Sequence, residues 1–307
     1  MADIAIVTAW YGPLPPWLPL TLRTMECNPS VDFLLIGDFE PPGYSVPPNV
    51  HLRALSRWEL RTRIRRHLDL TLLFLKIRKL CDLKPTFGHL FAKELEPYSW
   101  WGWADLDVVY GDIRGRLSGL DMDRLDAIST YERHPSSGPL MLLRNAERTN
   151  ALYRCSPDWR RALRLRRYVA FDEWWGDSGL IDFSQVLDSE SQAGLRLERF
   201  QLMDDNRAYD EHGDVSHTTN TGKSCEWTPE RLTAIDSASG LSNEVLYFHF
   251  MDWKGKDYFD QLSSLKERTD KLARFSLAED ELKCWFGESP THGMTPLSIK
   301  PAIDSQS

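Results

Sequence analysis

Residues 99–113 read S-W-W-G-W-A-D-L-D-V-V-Y-G-D-I, an aromatic, apolar run that ends in two carboxylates, Asp105 and Asp107, with Leu106 between them. As extended chain, alternation puts both carboxylates on one face and turns Leu106 into the core on the other. Two oxygen ligands side by side at the end of a buried strand suit a hard divalent cation. A bare D-x-D is more often a pair of solvated aspartates, as Asp121-Met122-Asp123 is expected to be. The surroundings therefore decide what Asp105 and Asp107 mean.

Upstream, residues 4–9 form a short β-branched run that breaks into W-Y-G-P-L-P-P. A helical stretch over 17–26, an N-P stop and a second apolar strand over 31–37, closed by Asp38, complete an opening βαβ unit. Ligands of such sheets bind at the carboxyl ends of the strands, which makes Ala9, Trp10, Tyr11, Gly12 and Asp38 candidate lining residues. A third strand is expected over 50–55. The following helix, 57–70, carries Arg57, Arg61 and Arg65 at i, i+4 spacing, a stripe that suits a solvated basic face better than a phosphate- or membrane-facing one.

Downstream, 126–130 and 140–143 read as strands, with Gly138 in the loop between them where a ligand can approach the backbone. Residues 145–154 and 157–167 read as helices. The polar, weakly patterned section 203–228 reads as a long loop or lid. Residues 245–250 form a last strand carrying His249, the chain is helical from there to about 285, and 286–307 is expected to be a disordered tail.

At 307 residues, with 42% hydrophobic and 27% charged residues, the chain matches an ordinary globular protein with a sizeable core. A net charge of −8 argues against general nucleic-acid binding. Five scattered cysteines without metal-finger spacing predict reduced thiols and a cytoplasmic protein. No stretch reaches the length of a membrane span, so any membrane contact is expected to be peripheral. Oligomeric state is not legible.

Taken together, the residues resemble a GT-A type glycosyltransferase. The similarity is closest to a bacterial family of sugar-transferase-like proteins of uncharacterised activity, with the line K-L-C-D-x-K-P-x-[YF]-G followed by W-G-[YW]-x-D-x-D-x-[IV]-[YF]-G-D-I. Here these stand as K-L-C-D-L-K-P-T-F-G over 79–88 and W-G-W-A-D-L-D-V-V-Y-G-D-I over 101–113. N-P-x-[IV]-D-F-L at 28–34 and L-x-R-N at 142–145 also fit, so the match runs from residue 4 to about 256.

The resemblance implies one α/β domain, GT-A (Rossmann-like), over 1–285, with a central, mostly parallel sheet flanked by helices. Its nucleotide-sugar-binding half spans about 1–115 and its acceptor-binding half about 116–285. It implies a D-x-D motif, Asp105 and Asp107, holding Mn²⁺ or Mg²⁺ on the diphosphate of a nucleotide-sugar, here a UDP-sugar. His249 stands where related folds supply a third metal ligand, with Lys254 and Lys256 near the diphosphate. An imidazole beside two carboxylates tilts the choice toward manganese. The alternative is a histidine packed between Phe248 and Phe250.

Asp82 and Lys84 lie where related enzymes touch the nucleotide and its phosphates; an ion pair between the two is equally compatible. Ala9, Trp10, Tyr11 and Gly12 would form the base and ribose pocket. Asp172 and Glu173 are the candidates for an acceptor-facing general base, or else the start of a capped helix. Trp174, Trp175 and Trp227 suit either acceptor stacking or the core. The expected activity is metal-dependent sugar transfer to a glycan, lipid-linked or small natural-product acceptor. Retention and inversion both stay open. A non-catalytic nucleotide- or carbohydrate-binding module is the alternative. A phosphotransferase or hydrolase ranks third, for want of a Gly-rich phosphate loop or a G-x-S-x-G element.

Overall fold

The computed structural model describes residues 3–72, 76–173, 178–205, 222–254, 258–262, 271–287 and 295–300. The chain opens with β1 (Ile4–Tyr11), α1 (Leu18–Glu26), β2 (Val31–Asp38), β3 (Val50–Ala54) and α2 (Arg57–Leu68). Then come β4 (Trp100–Ala104), β5 (Val108–Tyr110), β6 (Ala127–Ser129), β7 (Leu140–Arg144), β8 (Leu197–Arg199) and β9 (Met203–Asp205). The last strands are β10 (Lys223–Thr228), β11 (Arg231–Asp236), β12 (Leu241–Glu244), β13 (Tyr247–His249), β14 (Leu272–Ala278), β15 (Leu282–Phe286) and β16 (Leu297–Ile299).

A seven-stranded sheet, ordered β3-β2-β1-β4-β7-β6-β8, forms the centre of an α/β architecture. It is mixed: β3, β2, β1 and β4 run parallel, β7 is antiparallel to both β4 and β6, and β8 is parallel to β6. The expected mostly parallel sheet thus holds for its first half only.

The W-W-G-W-A run occupies the middle strand and is buried on both faces. Trp101 and Trp103 pack with Leu60, Ile64 and Leu68 of α2. Trp100 and Ala104 pack with Leu18, Leu22 and Met25 of α1 on the opposite face. Both inner indoles find acceptors, Trp101 donating to Asn150 Oδ1 at 2.6 Å and Trp103 to the Ser137 carbonyl at 3.0 Å. Gly102 lies between them because β7 passes so close that a Cβ there would stand 2.3 Å from the Met141 carbonyl oxygen.

The far end of the chain departs from expectation. Residues 272–286, expected to be helical, form β14 and β15 of a six-stranded antiparallel sheet ordered β12-β11-β10-β14-β15-β16. The reason is legible in hindsight: L-A-R-F-S-L-A alternates buried and half-buried residues with period two. Residues 297–299 of the expected tail add β16 to this sheet. The ends of the expected loop over 203–228 are β9 and β10, while 206–221 lie outside the described residues. A third small sheet, β5-β13-β9, joins the two larger bodies.

Candidate metal centre

β4 stops at Ala104, whose carbonyl accepts a hydrogen bond from Thr8 Oγ1 at 3.0 Å. Residues 105–107 then bend instead of continuing the strand. One backbone group of each residue in the bend is held by a different part of the chain. Asp105 N donates to the Pro139 carbonyl, Thr21 Oγ1 to the Leu106 carbonyl, and Phe250 N to the Asp107 carbonyl. Leu106 is buried against α1, as expected, yet the carboxylates converge because of the bend rather than by strand alternation.

The third group arrives on β13, which is antiparallel to β5 with His249 opposite Val108. His249 Nε2 lies 3.4 Å from Asp107 Oδ1 and 3.9 Å from Asp105 Oδ2. One ligand atom from each of the three residues lies within 4.8 Å of the others. Donors around one Mn²⁺- or Mg²⁺-sized ion stand about 3–4 Å apart, so little closure brings the three onto one cation. His249 is therefore turned toward the carboxylates, not merely packed between Phe248 and Phe250. Its Nδ1 is buried and has no hydrogen-bond partner. Two carboxylate oxygens and an imidazole nitrogen make a mixed oxygen and nitrogen donor set that could hold a divalent ion.

Charges around this triad are closely balanced. Lys254 Nζ stands 2.8 Å from Asp107 Oδ2. Burial alone would raise the Asp107 carboxyl, but His249 and Lys254 outweigh it and hold it well below the usual carboxylate range. Burial likewise works against the charged imidazole, and Asp107 and then Asp105 reverse this, so the His249 pKa is raised. Lys256 lies outside the described residues.

The K-L-C-D-L-K segment serves a different purpose from the one expected. Lys84 is buried and spends its three donors on the protein: Asp105 Oδ1 at 2.7 Å, Asp172 Oδ2 at 3.0 Å and the Gly138 carbonyl at 2.8 Å. It bridges Asp105 to Asp172, and no donor is left for a phosphate. Asp82 pairs not with Lys84 but with Lys79, at 2.6 Å, and is fully buried. Lys79 also donates to the carbonyls of Ala162 and Arg167. Asp82 in turn accepts from the backbone N–H groups of Val169 and Phe171, gripping a turn in which Ala170 adopts φ +54°. A non-glycine residue in that region is strained, and the turn it makes leads directly into Asp172.

Asp172 and Glu173 lie in this turn, and the next helix among the described residues, Phe183–Gln192, is capped by Asp182. Asp172 is fully buried, and its Oδ1 has no hydrogen-bond partner. Burial pushes its carboxyl up to about 7 against the pull of Lys84. Glu173 accepts from the Tyr168 hydroxyl at 2.6 Å. Its other oxygen would meet a Cβ on Gly138 at 2.2 Å. Gly138 is therefore small to admit Glu173, not a ligand. Cys81 lies in the same neighbourhood, but burial raises its thiol far from reactivity.

At the carboxyl ends of β1 and β2 an open groove of about 620 Å³ is lined by Gly12, the prolines of 13–19, Asp38, Phe39, Pro41, Pro42 and Tyr44. Of the expected base pocket, Gly12 and Asp38 line this groove, while Ala9, Trp10 and Tyr11 do not. Ala9 packs against the core, Trp10 donates to the Pro13 carbonyl at 2.9 Å, and Tyr11 is buried with Arg57 over its ring. Trp227 is core, stacked on Phe275 at 5.2 Å, and Trp174 and Trp175 lie outside the described residues. Asp112 caps the short helix Ile113–Leu117 through Gly115 N and stays out of the metal site.

A family model described as "Family of unknown function (DUF6625)" matches residues 6–275. No curated protein matches the chain.

Proposed function

The chain belongs to this family of unknown function, and we propose that it is a metal-dependent glycosyltransferase of the GT-A type that uses a nucleoside-diphosphate sugar. The observation that carries the proposal is the convergence of Asp105, Asp107 and His249 beyond the carboxyl end of the central strand. Sugar transfer expels a nucleoside diphosphate, and a bound Mn²⁺ or Mg²⁺ supplies Lewis-acid stabilisation of the charge that grows on its phosphate oxygens. Asp105, Asp107 and His249 hold the cation, and Lys254, half exposed beside them, offers its ammonium to the same diphosphate. The proline-lined groove at β1 and β2 takes the nucleoside. Asp172 takes the proton of the acceptor hydroxyl, since one of its oxygens has no hydrogen-bond partner and its pKa is near neutrality. Lys84 sets the spacing between that base and the metal carboxylates.

Without an acceptor, such an enzyme slowly hydrolyses its donor. Purified protein with Mn²⁺ is expected to release sugar from one member of a panel of nucleotide sugars, and to lose this with excess chelator. Donor binding with a metal-dependent thermal shift but no release would instead indicate a non-catalytic binding module. Transfer to an acceptor should rise as pH passes through about 7 and Asp172 ionises. Stability should move the other way. Between the ordinary aspartate value and about 7 the native chain keeps a proton the unfolded chain has lost, so stability falls as pH rises through that window. Asp172→Asn should abolish both trends, and a rate profile flat across neutrality in the unaltered chain would remove Asp172 from the role of base.

A further inference from the structure

We infer that the outward face of α2, with the adjoining segment at residues 76–77, docks on an anionic lipid bilayer surface. The helix R-W-E-L-R-T-R-I-R-R-H-L holds five arginines against one glutamate, in a chain whose net charge is −8. Its inner face is committed to the core through Leu60, Ile64 and Leu68. Arg63 is turned inward to Glu94 at 2.7 Å, and Glu59 is folded back onto the Ser56 cap.

Arg65 and Arg66 are exposed and make no ion pair among the described residues, Arg61 is half-buried with its Nε enclosed, and Trp58, two helical turns before Arg65, is 72% exposed. At the start of the helix, Arg57 shares one shallow depression with Lys76 and Ile77, and Ile77 is 49% exposed. The surface therefore alternates unpaired cations with two large apolar side chains that the core does not need.

That combination matches the boundary of a bilayer. Indole and aliphatic groups enter the interfacial layer, and arginine stems lie along it with their heads among lipid phosphates. A solvated basic face explains the arginines but leaves Trp58 and Ile77 in water. A nucleic acid explains the arginines and a stacked indole but gives the aliphatic Ile77 nothing to contact. The inference does not depend on the transferase reading, since none of these residues touches the metal centre.

Cosedimentation of the full chain with vesicles tests this. At low salt the protein should pellet with phosphatidylcholine vesicles containing about one third phosphatidylglycerol, and not with phosphatidylcholine alone. Arg65→Gln with Arg66→Gln should lower the partition coefficient roughly tenfold or more. Trp58→Ala should lower it further and remove the blue shift of tryptophan emission on binding. These side chains lie outside the core, so the circular dichroism and thermal midpoint of the variants should match the parent. No pelleting, equal pelleting with neutral vesicles, or pelleting indifferent to the substitutions would each overturn the inference. So would binding to single-stranded RNA that depends on the same residues and displaces the vesicles.

Discussion

Replacing Asp107 by asparagine is expected to lower Mn²⁺ affinity by at least about a hundredfold and donor turnover by roughly a thousandfold, while the fold survives. Asparagine keeps the volume of the side chain and the Asp107 backbone bond to Phe250 N. It removes the one carboxylate that faces both His249 and Lys254. The buried imidazole loses the carboxylate that does most to raise its pKa, while Asp105 remains. Lys254 is half exposed and can turn to water. The depressed Asp107 pKa means that its ionised form contributes to native stability at neutral pH, so the thermal midpoint should fall while the variant still folds, and lost metal binding in the folded protein is the diagnostic. Isothermal titration with Mn²⁺ checks the first number and donor hydrolysis the second. Unchanged metal affinity would mean that the cation, if bound, sits elsewhere.

The second large effect lies one layer away. Asp82→Asn should destabilise the protein by about 3–5 kcal/mol, because it leaves the Lys79 ammonium buried without a counter-charge. The same change takes an acceptor from the N–H groups of Val169 and Phe171 and so loosens the turn that carries Asp172. Denaturant unfolding should report the loss. Adding Lys79→Met should restore part of it, since the orphaned charge is then gone, although the carbonyls of Ala162 and Arg167 lose their donor. Mn²⁺ affinity should hold in the folded fraction while acceptor turnover falls. If Asp82→Asn unfolds no more easily than the parent, the buried pair does not anchor the turn.

This layer shows where the sequence stops being readable. The candidate metal residues Asp105 and Asp107 could be picked out as strand-end carboxylates, and His249 only through the resemblance, since its place between Phe248 and Phe250 suits simple packing equally well. The roles of Asp82 and Lys84 could not, because deciding partners are distant in sequence: Asp82 reaches the N–H groups of Val169 and Phe171, and Lys84 reaches Asp105, Gly138 and Asp172. Both have the residue type that a phosphate or nucleotide contact requires, and only tertiary placement shows that their hydrogen-bonding capacity is already used. The opening βαβ unit was legible from apolar runs and proline punctuation. The antiparallel sheet was not, because β14 opens on two buried residues in a row, Leu272 and Ala273, before its two-residue alternation begins. The bend at 105–107 escaped for a related reason: alternation along a strand and a turn at its end both put Leu106 inside.

The claim that joins these observations is that one divalent cation at Asp105, Asp107 and His249 receives the diphosphate of the donor. Calorimetric titration of a nucleoside diphosphate into the full chain, with and without saturating Mn²⁺, tests it most directly. The account predicts one site per chain with affinity raised at least about tenfold by Mn²⁺, and no such gain in Asp107→Asn. Nucleoside diphosphate binding that is indifferent to Mn²⁺, or a Mn²⁺ effect that persists in Asp107→Asn, would contradict it.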